Sequence, residues 1–347
     1  DGICTPEIIP FSCYGNIRKE YIVNFLKAPY VDDHINSSTF GVKMPRVSTE
    51  TMTYLLVPLP PLSEQIRIEK RIEELMPFIE KYGKAQDSLN TLNNGLSDSV
   101  RRSILQEAIQ GRLVPQIESE GTAEELFEEI RTEKKRLVKE GKLKASALKG
   151  ETRIFRGDDN KYYEQIGHKV FDISDVVPFD IPDSWQWVRL NHIGMSELGK
   201  TMDKGKDSGE NLPYLCSINV YWDGVNLDKV KTAQFTPNEK EKYKLQFGDL
   251  LVCEGGDVGR CAIWQERVDM WFQNALHRIT LFNDINAQYI KYILEFYKFT
   301  GTIDKLCKGV TIKHFTQTAL YSLLFPLPPL SEQQRIIDKV KSLMTRF

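Results

Sequence analysis

The sequence predicts an α/β (α+β) protein in which globular domains with mixed β-sheet are joined by long spacer helices. Three observations carry that expectation: a long-period internal repeat, an amphipathic pattern too long for most compact domains, and a change of composition near Trp185. At 347 residues the chain has room for two compact domains, and 41% hydrophobic content is ordinary for a chain that buries real cores.

The repeat comes first. Leu55-Leu56-Val57-Pro58-Leu59-Pro60-Pro61-Leu62-Ser63-Glu64-Gln65 recurs as Leu323-Leu324-Phe325-Pro326-Leu327-Pro328-Pro329-Leu330-Ser331-Glu332-Gln333, an offset of 268. Without a gap, Tyr21 to Met76 aligns with Tyr289 to Met344, with 20 identities in 56 pairs. Each copy runs from an apolar stretch into a Pro-x-Pro-Pro segment that cannot be helical, and Ser63 or Ser331 is expected to cap the helix that follows.

After Ser63, the positions Ile68, Ile72, Leu75, Ile79, Tyr82, Leu89, Leu96 and Val100 follow spacings of three and four, with Gln86 and Asn93 in the same seam. A helix of ~45 residues at ~1.5 Å per residue outgrows most compact domains and reads as a spacer. Pro77 is expected to kink it. Gly111 and Pro115 end the pattern, and Thr122 with Glu125 forms a capping box for a second, heavily charged helix to about Lys149, read as a solvated bridge.

From Trp185 to Phe325, short aromatic and β-branched runs alternate with glycine: Trp187 to Leu190, Tyr214 to Val220, Asp249 to Cys253, Cys261 to Trp264 and His277 to Phe282. A helical stretch, Ala287 to Phe299, follows. The segment reads as one mixed α/β domain.

The net charge of −2 argues against an all-over cationic nucleic-acid binder, so any such charge must be local. Six cysteines without a C-x-x-C pair suggest reduced, mostly buried thiols rather than zinc ligands or a disulfide framework. With no long apolar run and no basic-then-apolar leader, a cytoplasmic protein is expected. A start at Asp1 and a stop inside a helical pattern suggest a piece of a longer chain.

These residues resemble the specificity subunits of type I restriction-modification enzymes. The likeness rests on the paired L-P-P-L-S-E-Q-x-R-I helix starts and the long helix after the first. It rests also on Ile181-Pro182-Asp183-Ser184-Trp185-Gln186-Trp187-Val188-Arg189-Leu190 at a domain entry, and on Phe247-Gly248-Asp249-Leu250-Leu251 within that domain.

The resemblance implies that residues 1–57 are the tail of a first target-recognition domain, 58–114 the first conserved spacer helix and 115–184 a linker with a charged helix. Residues 185–325 would form the second recognition domain and 326–347 the start of a second spacer helix. In the family each recognition domain reads half of a bipartite double-stranded DNA target, and the two long helices pack antiparallel as a ruler between them. Methyltransferase subunits carry S-adenosylmethionine and methylate adenine, and restriction subunits supply ATP-driven translocation and cleavage. The chain itself would be non-catalytic, without a cofactor or metal of its own, serving DNA modification only as address and scaffold.

Candidate DNA-binding residues follow from chemistry. Lys200, Lys204 and Lys206 occupy a loop where cations can meet phosphates, or where Asp203 and Asp207 cancel them. Glu254-Gly255-Gly256-Asp257-Val258-Gly259-Arg260 closes an expected hairpin. There Arg260 suits a guanine edge and Glu254 or Asp257 a cytosine amino group, although a plain tight turn explains the glycines as well. Gln273, Asn274, His277 and Arg278 offer adenine-edge amides and cationic donors, with a structural histidine as the alternative for His277. Lys308 and Lys313 flank Gly309-Val310, as Lys43 and Arg46 follow Gly41-Val42, suggesting a DNA-facing loop shared by both recognition domains, although a shared structural turn explains the glycine and valine equally well.

Gly194-Met195-Ser196-Glu197-Leu198-Gly199-Lys200-Thr201 matches G-x-x-x-x-G-K-[ST], but the following Met202 to Gly209 offers no helix to receive phosphate. A P-loop nucleotide-binding domain and a helical adaptor without DNA contact are the rival readings. No H-E-x-x-H, no G-x-S-x-G, no G-x-G-x-x-G after a strand and no Asn-Pro-Pro-Tyr-like tetrapeptide occurs.

Overall fold

The computed structural model describes residues 8, 10–37, 47–148, 152–202, 209–307, 309 and 313–346. It divides into two units, Asp1–Gly95 and Leu96–Phe347. Among the described residues, no helix is long and apolar enough to cross a membrane.

The first unit holds α1 (Lys19–Leu26), α2 (Pro29–Ser37), α3 (Thr49–Thr53) and the front of α4 (Leu62–Ile109). Ser48 caps α3 by accepting from the Thr51 N–H at 3.0 Å. The helix start after Pro61 differs from expectation. Pro61 supplies the first accepting carbonyl, so Ser63 lies inside the helix rather than capping it. Gln65 provides the tie instead: its Nε2 donates to the Pro60 carbonyl at 2.8 Å, and its Oε1 accepts from the Arg18 N–H at the start of α1 at 3.0 Å.

Helix α4 passes through Pro77 without ending. Ile79, Tyr82, Leu89 and Leu96, from the expected stripe, are exposed, whereas Ile104, Leu105, Ala108 and Ile109 at its far end enter the core of the second unit. In that unit Arg101 forks onto the buried Glu295, with its Nη2 at 2.9 Å from Oε2.

The second unit continues with α5 (Ala123–Lys139), whose capping box forms as read from Thr122 and Glu125. It is shorter than expected and is no solvated bridge. Ala123, Leu126, Phe127 and Ile130 are buried at helical spacing, and Gly141 at φ +72° closes the end. The stretch expected to be linker also folds into an antiparallel sheet, β1 (Thr152–Arg156), β2 (Tyr162–Ile166) and β3 (Lys169–Asp172).

Next come β4 (Gln186–Arg189), α6 (Leu190–Ile193), β5 (Gly194–Leu198), β6 (Glu210–Leu215), β7 (Val220–Tyr221), β8 (Gly224–Val225), β9 (Lys231–Phe235) and α7 (Pro237–Lys242). The chain then runs through β10 (Leu250–Cys253), β11 (Cys261–Ile263), β12 (Trp271–Phe272), β13 (Leu276–Leu281), α8 (Ala287–Phe299), α9 (Thr302–Leu306), α10 (Gln317–Ser322), β14 (Leu324–Leu327) and α11 (Leu330–Met344).

The sheets run in the orders β11-β10-β13-β5, β12-β6-β9, β14-β4 and β7-β8. Strand β10 explains how the domain is layered. Leu250 and Val252 enter the core built with α5, α8 and α11, while Leu251 and Cys253 enter a second core with Trp264, Phe272 and Leu276. Successive side chains of a strand point to opposite faces, so a strand apolar at every position is covered on both.

The repeat folds twice into the same bonds. The Thr316 hydroxyl caps α10 as Ser48 caps α3. Gln333 donates to the Pro328 carbonyl at 3.0 Å and accepts from the Asn286 N–H at 3.0 Å, each partner 268 positions from its counterpart. The copies differ in cover. Leu324, Phe325 and Leu327 are buried against β4, and Glu332 accepts from Trp185 Nε1 at 3.0 Å, whereas Leu56, Val57, Leu59 and Glu64 are exposed.

Candidate nucleic-acid interface

The glycine-rich segment joins β10 to β11 as the expected antiparallel hairpin, Val252 opposite Cys261. Gly259 takes φ +82°, and a Cβ there would stand 2.8 Å from Ile303, so only glycine lets the loop lie this close to α9. That approach brings charged side chains from four segments together.

Arg260 donates from Nη2 to the Ser217 carbonyl at 2.8 Å and lies over the Tyr221 ring, 4.7 Å from its centroid. Its Nε–H is buried and has no acceptor among the described residues. The Ser217 carbonyl and the Tyr221 ring order the guanidinium in advance, which lowers the cost of meeting a planar partner. Asp257 faces Arg260 at 3.7 Å and Lys298 at 3.2 Å; Lys298 also meets Asp304 at 3.4 Å, and Lys313 meets Asp304 at 3.0 Å. Glu254 faces His314 at 4.0 Å, and burial raises its carboxyl above the usual range, with His314 opposing the rise.

Glu254, Asp257, Arg260 and Lys313 therefore converge. Gln273 and Asn274 sit beside them, since the carbonyl of the next residue, Ala275, accepts from the Glu254 N–H at 2.9 Å. Lys298, Asp304 and His314 belong to the same cluster and were missed by sequence reasoning. The first two lie on helices among apolar neighbours, and their only signal was the shortness of the segment between α8 and Lys313.

Other candidates have different surroundings. Lys200 is paired with Glu239 at 2.6 Å and lies 5.4 Å from the centre of the Phe235 ring, so it is a buttress rather than an unpaired loop cation. Arg278 is held by Glu197 and by the Lys244 carbonyl at 2.7 Å, over Phe272. His277 is fully buried; its Nε2 meets the Phe315 carbonyl at 2.8 Å and its Nδ1 the Ser196 hydroxyl at 3.2 Å. A carbonyl only accepts, so Nε2 carries the proton and Nδ1 accepts from Ser196, the structural alternative for this residue. Lys43, Arg46, Lys204, Lys206 and Lys308 lie outside the described residues.

The G-x-x-x-x-G-K-T match falls on β5, which pairs along its length with β13. Its second glycine, Gly199, would place a Cβ 2.4 Å from the Phe272 carbonyl oxygen. The glycines serve strand packing, and Lys200 and Gln273 bridge in parallel where a phosphate loop would need a helix N-terminus. Among the described residues, no group of three or more His, Cys, Asp or Glu could hold a metal ion. Cys216, Cys253 and Cys261 are buried free thiols, and burial pushes Cys253 up to about 11.

A mixed α/β domain entered through β4 and closed by the second copy of the helix-start module thus carries a loop-borne charged surface. Residues 182–346 match the family model described as the Type I restriction modification DNA specificity domain. It is 25% identical to the specificity subunit of the type I restriction enzyme EcoAI of Escherichia coli, over 99% of this chain and 62% of that one. It is 23% identical to that of EcoEI, also of Escherichia coli, over 98% and 62%. A chain solved in work on complex assembly and conformational transition of the type I R-M system shares the fold, with a TM-score of 0.51 and 17% identity over 94% of this chain and 63% of that one. The chain thus spans about 62% of the length of these curated relatives.

Proposed function

We propose that the chain is a non-catalytic DNA-reading and scaffolding part of a type I restriction-modification specificity subunit, with residues 185–325 as a recognition domain for one half of a bipartite duplex target. The observation that carries this reading is the convergence of Glu254, Asp257, Arg260 and Lys313 on one surface of the domain matched by the family model. Cations at such a surface position the protein on phosphates, and side chains able to reach base edges specify sequence.

Methyltransferase subunits holding S-adenosylmethionine, and restriction subunits using ATP, are the partners this reading implies. The helices would hold them, and this chain would carry neither cofactor. The strand placement of the G-x-x-x-x-G-K-T match leaves the nucleotide-binding reading without support.

The test is binding-site selection from randomised duplex DNA, using the chain with its methyltransferase partner. The reading expects recovery of a short fixed half-site that weakens with Arg260→Ala. It expects Lys313→Ala to lower affinity for all duplexes and to reduce the salt slope by about one. Recovery of no sequence would overturn it.

A further inference from the structure

Among the described residues, the charged cluster holds as many carboxylates as fixed cations: Glu254, Asp257 and Asp304 beside Arg260, Lys298 and Lys313. Such a surface has little pull on a polyanion as it stands. Its cations are nevertheless ordered, because α9, α8 and the glycine loop are packed together through Ile303 and Gly259. Asp304 is central to that order. One of its oxygens is 3.0 Å from Lys313 Nζ and the other 3.4 Å from Lys298 Nζ. Partial burial opposes its ionisation, but the two ammoniums outweigh that and hold its carboxyl below the usual range. It is therefore charged at neutral pH. The Lys313 side chain is half exposed, so its ammonium is open to an anion from outside.

Resting on the DNA-recognition reading, we infer that Asp304 is a positioning residue that sets specificity: its carboxylate occupies Lys298 and Lys313 in place of backbone phosphates and releases them only to closely fitting duplex DNA. A partly exposed ion pair is weak enough to be exchanged. A loosely placed duplex loses the internal pairs and regains only one of them, whereas a fitted duplex supplies a phosphate to each lysine. Discrimination arises because the carboxylate penalises the wrong partner more than the right one.

The experiment compares the full chain with Asp304→Asn and Asp304→Glu. Each is titrated with random duplex DNA and with its selected site across a salt series. Asp304→Asn should bind random duplex about tenfold more tightly at low salt. Its log–log salt slope should steepen by roughly one, since Lys313 is freed while Lys298 keeps Asp257 at 3.2 Å, and each phosphate gained adds about 0.9. The selected site should gain less, so the ratio of the two affinities falls, and Asp304→Glu should behave as the parent.

Lys313→Gln serves as a second variant and should make the slope shallower by about one. An unchanged slope and ratio in Asp304→Asn, or an equal loss on both DNAs, overturns this inference alone. Absence of duplex binding by the parent chain overturns the recognition reading, and this inference with it.

Discussion

Tyr289 donates its hydroxyl to the carbonyl of Pro326 at 3.0 Å, and 268 positions earlier Tyr21 makes the same bond to Pro58 at 2.7 Å. In each copy the first helix of the module is thereby pinned to the Pro-x-Pro-Pro segment that launches the last. Proline has no N–H to donate but keeps its carbonyl acceptor, and in each copy the tyrosine hydroxyl satisfies that carbonyl. Tyr289→Phe strands that carbonyl in a fully buried site and should destabilise the second unit by about 1–3 kcal/mol in urea unfolding, whereas Tyr21→Phe should cost less because its bond is only partly buried. Equal effects would contradict the burial argument.

Arg101 anchors the far end of α4 through Glu295. Arg101→Met leaves a carboxylate buried without its partner and should lower stability by about 3 kcal/mol. The double change to Met at both positions should recover much of that loss. A single variant as stable as the parent would show that the pair contributes little.

Gly199 separates the two explanations of the G-x-x-x-x-G-K-T match by stability. Gly199→Ala drives a methyl against the Phe272 carbonyl and should destabilise the domain by roughly 1–3 kcal/mol, with or without added nucleotide. Stabilisation of the parent by ATP in a thermal melt, abolished by this change, would revive the phosphate-loop reading.

His277 makes a pH signature. Burial lowers its pKa below the usual value, with the Phe315 carbonyl opposing, so the unfolded chain binds its proton first as pH falls. The stability tied to the neutral ring is present above the unfolded pKa, about 6.5, and is lost as pH drops toward the lower folded value. Between pH 7 and 5.5 the parent should therefore lose stability faster than His277→Gln. Parallel curves would mean that the ring does not titrate in this window.

How much was legible beforehand depended on the range of the interactions. The limits Ala287 and Phe299 of α8 and the Thr122 box of α5 were read correctly because spacing and capping act within a few residues. The sheet of β1 to β3 was missed. Its strands are short, and its turns at Asn160 and Gly167 are marked only by positive φ, a conformation those residue types allow but do not announce. Ser63 and Ser331 were misread as caps because the proline carbonyl already closes the first turn, leaving the glutamine to make the longer-range tie.

The sequence by itself determined the duplication, the two helix starts, the mixed domain between them and the family to which they point, since all rest on local spacing and on self-similarity. Only the tertiary structure decided which charges act together. Lys200 and Arg278 were drawn into ion pairs inside the domain, while Asp257, Lys298, Asp304 and Lys313 became neighbours. A cation's role depends on which carboxylates the fold places within a few ångströms of it, and the chain order of Asp257 and Lys298 does not encode that distance.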